Sequence, residues 1–112
     1  MLDAPPRNEM DQGFFHTFAA LVGTLAALPV RGLVVHGAGR HFSSGADIDA
    51  LKAGLAGAQP DLAKPALFAA TSSFQAIAEL PYPTVAAVGG CCLGSGLELA
   101  LACRWRVAAA NA

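Results

Sequence analysis

The sequence predicts an α/β fold in which parallel strands alternate with helices. Three observations lead there. Two short runs, "GLVVHG" (32–37) and "TVAAV" (84–88), are apolar, rich in β-branched residues and bounded by glycine or proline, as in strands of a covered parallel sheet. Each follows a long stretch whose apolar residues recur at helical spacing. The chain is also 54% hydrophobic and only 13% charged, against about 25% charged in an average soluble domain. Most of its surface is therefore expected to be covered, by a larger fold or by other copies.

The elements follow in order. Residues 1–10, "MLDAPPRNEM", are polar and proline-containing, and read as loop. From Asp11, apolar residues at Phe14, Phe18, Leu21, Leu25 and Leu28 share one helical face, with Asp11 as N-cap and Pro29 as stop. The strand at 32–37 comes next. "AGRHFSSGAD" (38–47) is turn-rich, residues 48–57 form a short helix, and 58–64 a loop. Pro65 suits the first turn of a second long helix, with Leu67, Ala70, Phe74, Ile77 and Leu80 on its apolar face and Pro81 behind it. The strand at 84–88 leads through "GGCC" (89–92) into a helix over 93–103, and "WRVAAA" (105–110) opens a further strand. Repeats, low-complexity segments and an internal domain boundary are absent from the sequence.

Composition narrows the function classes. A net charge of −1 argues against nucleic acid or an anionic membrane surface as partner. The longest apolar stretch, 14–30, is interrupted by His16, Thr17, Gly23 and Thr24, so it reads as a buried helix rather than a membrane span. The polar first twelve residues do not resemble a secretory signal. Three cysteines, Cys91, Cys92 and Cys103, without CxxC spacing fit neither a disulfide framework nor a zinc site. Reduced thiols and a cytoplasmic location are expected. The histidines at 16, 36 and 41 lack metal-ligand spacing, so no metal is expected. His16 and His36 read as packing or strand-edge residues and His41 as a solvated turn residue.

Chemistry concentrates in two glycine-rich turns. One joins Gly37 and Gly39 to Ser43, Ser44 and Gly45; the other joins Gly89 and Gly90 to Gly94, Ser95 and Gly96. Both follow strands, and ligands of open α/β sheets bind outside the carboxyl ends of strands. The second turn also starts a helix, whose first N–H groups lack internal partners. "GSG" at 94–96 is thus a candidate anion or oxyanion site, unless these glycines serve only close packing. "GAGRHF" lacks the third glycine of a dinucleotide fingerprint, which argues against a nicotinamide oxidoreductase, and "LGSGL" lacks the outer glycines of a nucleophile elbow. Glu98 is the sole charge on the third helix, three residues after Ser95. A helix this apolar is expected to be buried all round. A carboxylate within it is costly unless paired or used, so Glu98 is either a helix-start cap or an acid–base group.

Two stretches together resemble the enoyl-CoA hydratase/isomerase (crotonase) superfamily. Residues 31–52, "RGLVVHGAGRHFSSGADIDALK", are similar to its pattern G-x-G-x-x-F-(S/A)-x-G-A-D-(I/L). Residues 83–108, "PTVAAVGGCCLGSGLELALACRWRVA", are similar to P-x-(I/V)-A-A-(V/I)-x-G-x-x-x-G-(G/S)-G-x-E-L-A-x-x-C. The leader "DAPPRNEM" resembles the family's N-x-P-x-x-N-A-(L/M), with Asn8 at the asparagine. Ser95 stands where glycine is usual, Gly89 where asparagine is common and Arg104 where aspartate is common.

The resemblance implies a crotonase-like fold and acyl-CoA thioester substrates, with coenzyme A arriving as part of the substrate and no separate cofactor. It implies an oxyanion hole built from the backbone N–H groups of Ala46 and Ser95, a CoA and substrate lining of Ser44, Gly45, Ala46, Asp47, Ile48 and Gly94, and Glu98 as a catalytic acid–base glutamate that orients and deprotonates water. It further implies that residues 1–112 are one partial domain. The family's first strand and its C-terminal half, which carries a second catalytic glutamate and the trimer-building helices, fall outside the chain. Hydration, double-bond isomerisation and hydrolysis all remain within the family's chemistry. A catalytically silent CoA-binding module is the alternative of a different class.

Overall fold

The computed structural model describes residues 1–46 and 63–112, with the side chains of 63–69 also outside the description. The helix expected at 48–57 and most of the loop after it lie outside the described residues. Among the described residues three helices and three strands are formed: α1 (Gln12–Leu25), β1 (Leu33–His36), α2 (Ala63–Ala78), β2 (Thr84–Val88), α3 (Ser95–Ala102) and β3 (Trp105–Ala108). The strands make one sheet in the order β1-β2-β3, every pairing parallel. α2 and α3 are the crossover helices between consecutive strands, as parallel pairing requires.

Local chemistry sets the element ends. The Asp11 carboxylate accepts the Phe14 N–H at 2.7 Å, capping α1 as its position predicts. The Leu25 carbonyl, at the end of α1, accepts the Leu28 N–H at 3.2 Å and the Tyr82 hydroxyl at 2.6 Å. Pro65 sits in the first turn of α2, where its missing N–H costs nothing. α3 ends under Arg106, whose Nη1 donates to the Cys103 carbonyl at 2.9 Å. Thr84 Oγ1 accepts the Arg104 N–H at 2.8 Å and ties the end of that helix back to β2.

The core lies between the helices and one face of the sheet. Phe18, Val22 and Leu25 of α1 meet Phe74 and Ile77 of α2, above Val35 and Ala86 of the sheet. Phe14 stacks on Phe18 at 5.4 Å, and Phe18 meets Phe74 edge-on at 5.9 Å; each such pair adds about 1 kcal/mol beyond area burial. Two expected core residues are displaced: Leu21 and Leu28 are exposed, and Val22 takes the inward position. A residue one place along a helix turns by 100°, and the phase is set by the partner helix rather than by the apolar count. His16 is exposed as well, so it does not pack.

β1 and β2 are covered on one side only, and β3 is exposed along its whole length. Val34, Val85 and Trp105 lie in register across the sheet, as do His36, Ala87 and Val107. Among the described residues this face stays open, with Val34 59%, Trp105 52% and Val107 64% exposed. The expectation of buried strands therefore holds for the helix side of β1 and β2 and fails for their other side and for β3.

The leader is more ordered than a polar loop. The Leu2 N–H donates to the His36 carbonyl at 2.8 Å and the Leu2 carbonyl accepts the Ala38 N–H at 2.7 Å, a parallel bridge at the end of β1. Met10 bridges Ala46, donating to the Gly45 carbonyl at 2.9 Å. Leu2, Asn8 and Met10 are buried. The apolar anchors at 2 and 10 are too far apart in sequence to register as a periodic element.

Candidate functional site

Both glycine-rich turns leave the carboxyl end of the sheet and zip together. The Phe42 N–H donates to the Gly89 carbonyl at 2.8 Å, the Ser43 N–H to the Cys91 carbonyl at 3.0 Å, and the Leu93 N–H to the Ser43 carbonyl at 3.0 Å. This parallel seam explains why α3 begins at Ser95 and not at Leu93. The Leu93 N–H is committed to Ser43, and Gly94 takes a positive φ of 51° before the helix opens.

The leader braces the seam from behind. Asn8, 2% exposed, donates through Nδ2 to the carbonyls of Ala38 at 3.0 Å, His41 at 2.8 Å and Phe42 at 3.2 Å. Its Oδ1 accepts the Ala4 N–H at 3.0 Å. Asn8 holds a positive φ of 52°, which asparagine tolerates better than most residues. The Ser43 hydroxyl, fully buried, donates to the Asn8 carbonyl at 2.7 Å and accepts the Gly45 N–H at 3.0 Å. The Ser44 N–H donates to the Arg7 carbonyl at 3.0 Å. These bonds fix the segment from Ala38 to Gly45.

Beyond Gly45 that changes. Among the described residues neither the Ala46 N–H nor the Ser95 N–H donates to a protein acceptor. The two turns touch at this point. Gly45, at φ +91°, lies so close to α3 that a Cβ on it would sit 2.6 Å from the Leu93 carbonyl oxygen and 3.1 Å from the Ser95 nitrogen. Both Ala46 and Ser95 are half-buried. Ser95 is also the first residue of α3, where the helix dipole adds positive potential. Two unspent N–H groups at one junction can receive an anion or the oxygen of a polarised carbonyl.

Of the sequence-predicted site residues, Ser44, Gly45, Ala46, Gly94 and Ser95 are thus gathered at one junction; Asp47 and Ile48 lie outside the described residues. Glu98 stands one turn into α3, its N–H donating to the Gly94 carbonyl at 3.0 Å. The expectation of burial for Glu98 fails. The buried stripe of α3 is Gly96, Leu99 and Ala100, continued by Cys103, and Glu98 lies on the opposite side with Leu97 and Leu101, all three exposed. An eight-residue helix against a three-stranded sheet covers one side only, whatever its overall apolarity. Its carboxylate has no partner among the described residues.

His41, expected in solvent, is half-buried and its Nδ1 accepts the Cys91 N–H at 2.9 Å. Sequence inspection missed its role and that of Ser43. The available signal was their place in the turn leading into "SGAD", where a polar side chain able to accept an N–H stabilises a turn. Burial raises the thiol pKa of Cys92. It also raises that of Cys103, against the opposing pull of a Thr84 hydrogen bond and the Arg106 charge. Among the described residues no helix is long and apolar enough to cross a membrane, and no group of three or more His, Cys, Asp or Glu is placed to hold a metal.

A parallel α/β sheet whose first two strands end in interlocked glycine turns defines a crotonase-type domain, and comparison with known proteins makes the class specific. The family model for enoyl-CoA hydratase/isomerase matches residues 1–112, and the chain belongs to that family. It is 41% identical over 111 residues to a probable enoyl-CoA hydratase of Bacillus subtilis, covering 96% of this chain and 41% of that one. It is 44% identical over 79 residues to a probable enoyl-CoA hydratase of Mycobacterium tuberculosis, covering 70% of this chain and 29% of that one. A crystal structure of an enoyl-CoA hydratase/isomerase from Xanthobacter autotrophicus superposes with a TM-score of 0.86 at 37% identity, over 99% of this chain and 42% of that one. The chain therefore spans less than half the length of these relatives.

Proposed function

We propose that this chain carries the thioester-binding half of an enoyl-CoA hydratase/isomerase site. The observation that supports it is the junction of Gly45 with the start of α3, flanked by the Ala46 and Ser95 N–H groups, neither of which donates among the described residues, in the sequence contexts of the family. An acyl-CoA thioester presents its carbonyl oxygen to both N–H groups. Ser44, Gly45, Ala46, Asp47, Ile48 and Gly94 line the acyl-CoA, which needs no further cofactor.

In a hydration, water adds to the β carbon of the 2,3 double bond. Its proton passes to the Glu98 carboxylate, and the electron pair of the double bond moves onto the thioester oxygen as an enolate. The proton held by Glu98 is then delivered to the α carbon, which returns the pair and restores the carboxylate. The two N–H groups act on the enolate oxygen, and loss of one such donor costs about 10²–10³ in rate. The relatives named enoyl-CoA hydratases support this reading. A family isomerase would use the same hole to shift the double bond, and a hydrolase to cleave the thioester.

One observation favours the silent CoA-binding module for this chain by itself. Glu98 is exposed between Leu97 and Leu101, so the described residues do not exclude water around it. The two readings part in one assay. The full chain is incubated with crotonyl-CoA, loss of the enoyl thioester absorbance is followed, and Glu98→Gln is the control. Hydration that falls by about 10²–10⁴ in the variant, with binding retained, supports catalysis by Glu98. Binding without turnover in either protein supports the module, and equal turnover in both removes Glu98 from the mechanism.

A further inference from the structure

We infer that His41 is a positioning residue that makes acyl-CoA binding depend on pH, a step that rests on the reading above. The Cys91 N–H donates to His41 Nδ1 at 2.9 Å. Nδ1 must therefore carry a lone pair, which leaves the ring proton of the neutral form on Nε2. The contact fills a gap in the seam. Phe42 and Ser43 donate to Gly89 and Cys91, but the backbone skips Gly90, which bulges away at φ +53°. A Cβ at Gly90 would collide with His41 Nδ1 and lie 2.8 Å from the Arg40 carbonyl oxygen, so the bulge is shaped around the ring. The imidazole is the acceptor that backbone pairing leaves out. It holds the 89–93 turn, and through it Ser95, against the segment that ends in Ala46.

A protonated imidazole carries hydrogen on both nitrogens and cannot accept. Protonation therefore opens this side of the seam and loosens the register of the two N–H groups. The charged or titratable groups on the segments packed here are Arg40 beside the ring, Arg7 and Glu9 flanking Asn8 on the leader, Cys91 and Cys92 on the opposing turn, and His36 at the end of β1. None forms an ion pair with His41 among the described residues.

The test measures crotonyl-CoA binding to the full chain at about pH 8 and about pH 5.5, the span over which histidine changes charge. Wild type is expected to bind about fivefold more weakly at the lower pH, the factor carried by one neutral hydrogen bond. His41→Asn places an amide oxygen where Nδ1 stood, and is expected to keep the higher-pH affinity at both values. His41→Ala is expected to bind weakly at both. In parallel, the Cys91 amide NMR shift is followed against pH without ligand, in wild type and in His41→Asn. It should move with the His41 ring signal in wild type only. Equal pH dependence of binding in wild type and His41→Asn, or a Cys91 amide that ignores the ring titration, overturns the inference. Absence of binding at every pH overturns the acyl-CoA reading instead, and the Cys91 amide still decides the role of His41.

Discussion

Gly45 and Ser95 meet backbone to backbone, so closely that a Cβ on Gly45 would stand 3.1 Å from the Ser95 nitrogen. The contact joins the ends of two crossover units, one leaving β1 and one leaving β2. It brings Ser95 against the residue that precedes Ala46.

Gly45→Ala should therefore damage stability and binding together. The position has φ +91°, and the new methyl would also press on the Leu93 carbonyl oxygen at 2.6 Å. A strained backbone of this kind costs about 1–3 kcal/mol. Urea unfolding should show that loss, and crotonyl-CoA titration should show weaker binding in the protein that remains folded. Wild-type affinity in Gly45→Ala would separate the junction from the site.

Asn8 should matter more than its place in a polar leader suggests. Its amide serves three carbonyls in a buried setting, and each buried group left unpaired costs about 1–3 kcal/mol. Asn8→Ala is expected to lose at least about 2 kcal/mol in chemical denaturation. Asn8→Asp gives the sign. Its ionised carboxylate turns acceptor oxygens toward the same carbonyls, whereas the protonated form regains a donor. That variant should be less stable at about pH 7 than at about pH 4, the range spanning carboxylate ionisation. Equal stability at both would mean that the amide donates nothing.

The alkaline limb of stability should report Cys103. Burial raises its pKa above the ordinary 9.0, ahead of the lowering effects of Thr84 and Arg106. The unfolded chain then releases the thiol proton at a lower pH than the folded one. The contribution is intact below 9.0 and is lost as pH rises from there through the folded value. Cys103→Ala should flatten the fall in unfolding free energy above that pH. Native Cys103 should also react with a thiol reagent more slowly than after unfolding. Equal rates would show that burial does not protect it.

Much of this architecture is legible in the residues, for identifiable reasons. β1 and β2 announce themselves because β-branched runs between glycines have few other uses. Asp11 marks the start of α1 because its carboxylate has a definite N–H to accept. The failures have physical causes too. Leu21 and Val22 differ only in helical phase, which a partner helix decides. The start of α3 moves from Leu93 to Ser95 because Gly94 takes a positive φ of 51°, in a turn whose Leu93 N–H pairs with Ser43 across fifty residues. Apolarity put Glu98 inside, yet Leu97 and Leu101 share its outward side, because burial follows what packs against a helix and not its composition. At the site itself the glycines were legible and the braces were not. Asn8, His41 and Ser43 act through long-range bonds to backbone, and their residue types are common in any turn.

The most direct measurement is the carbonyl stretch of bound crotonyl-CoA, read by difference infrared or Raman spectroscopy against the free thioester. Two N–H donors on the thioester oxygen polarise the C=O bond, so the band of the bound ligand should move to lower frequency, and by less in Gly45→Ala. A ligand that binds with its carbonyl band at the free-solution frequency would show that Ala46 and Ser95 do not receive the oxygen.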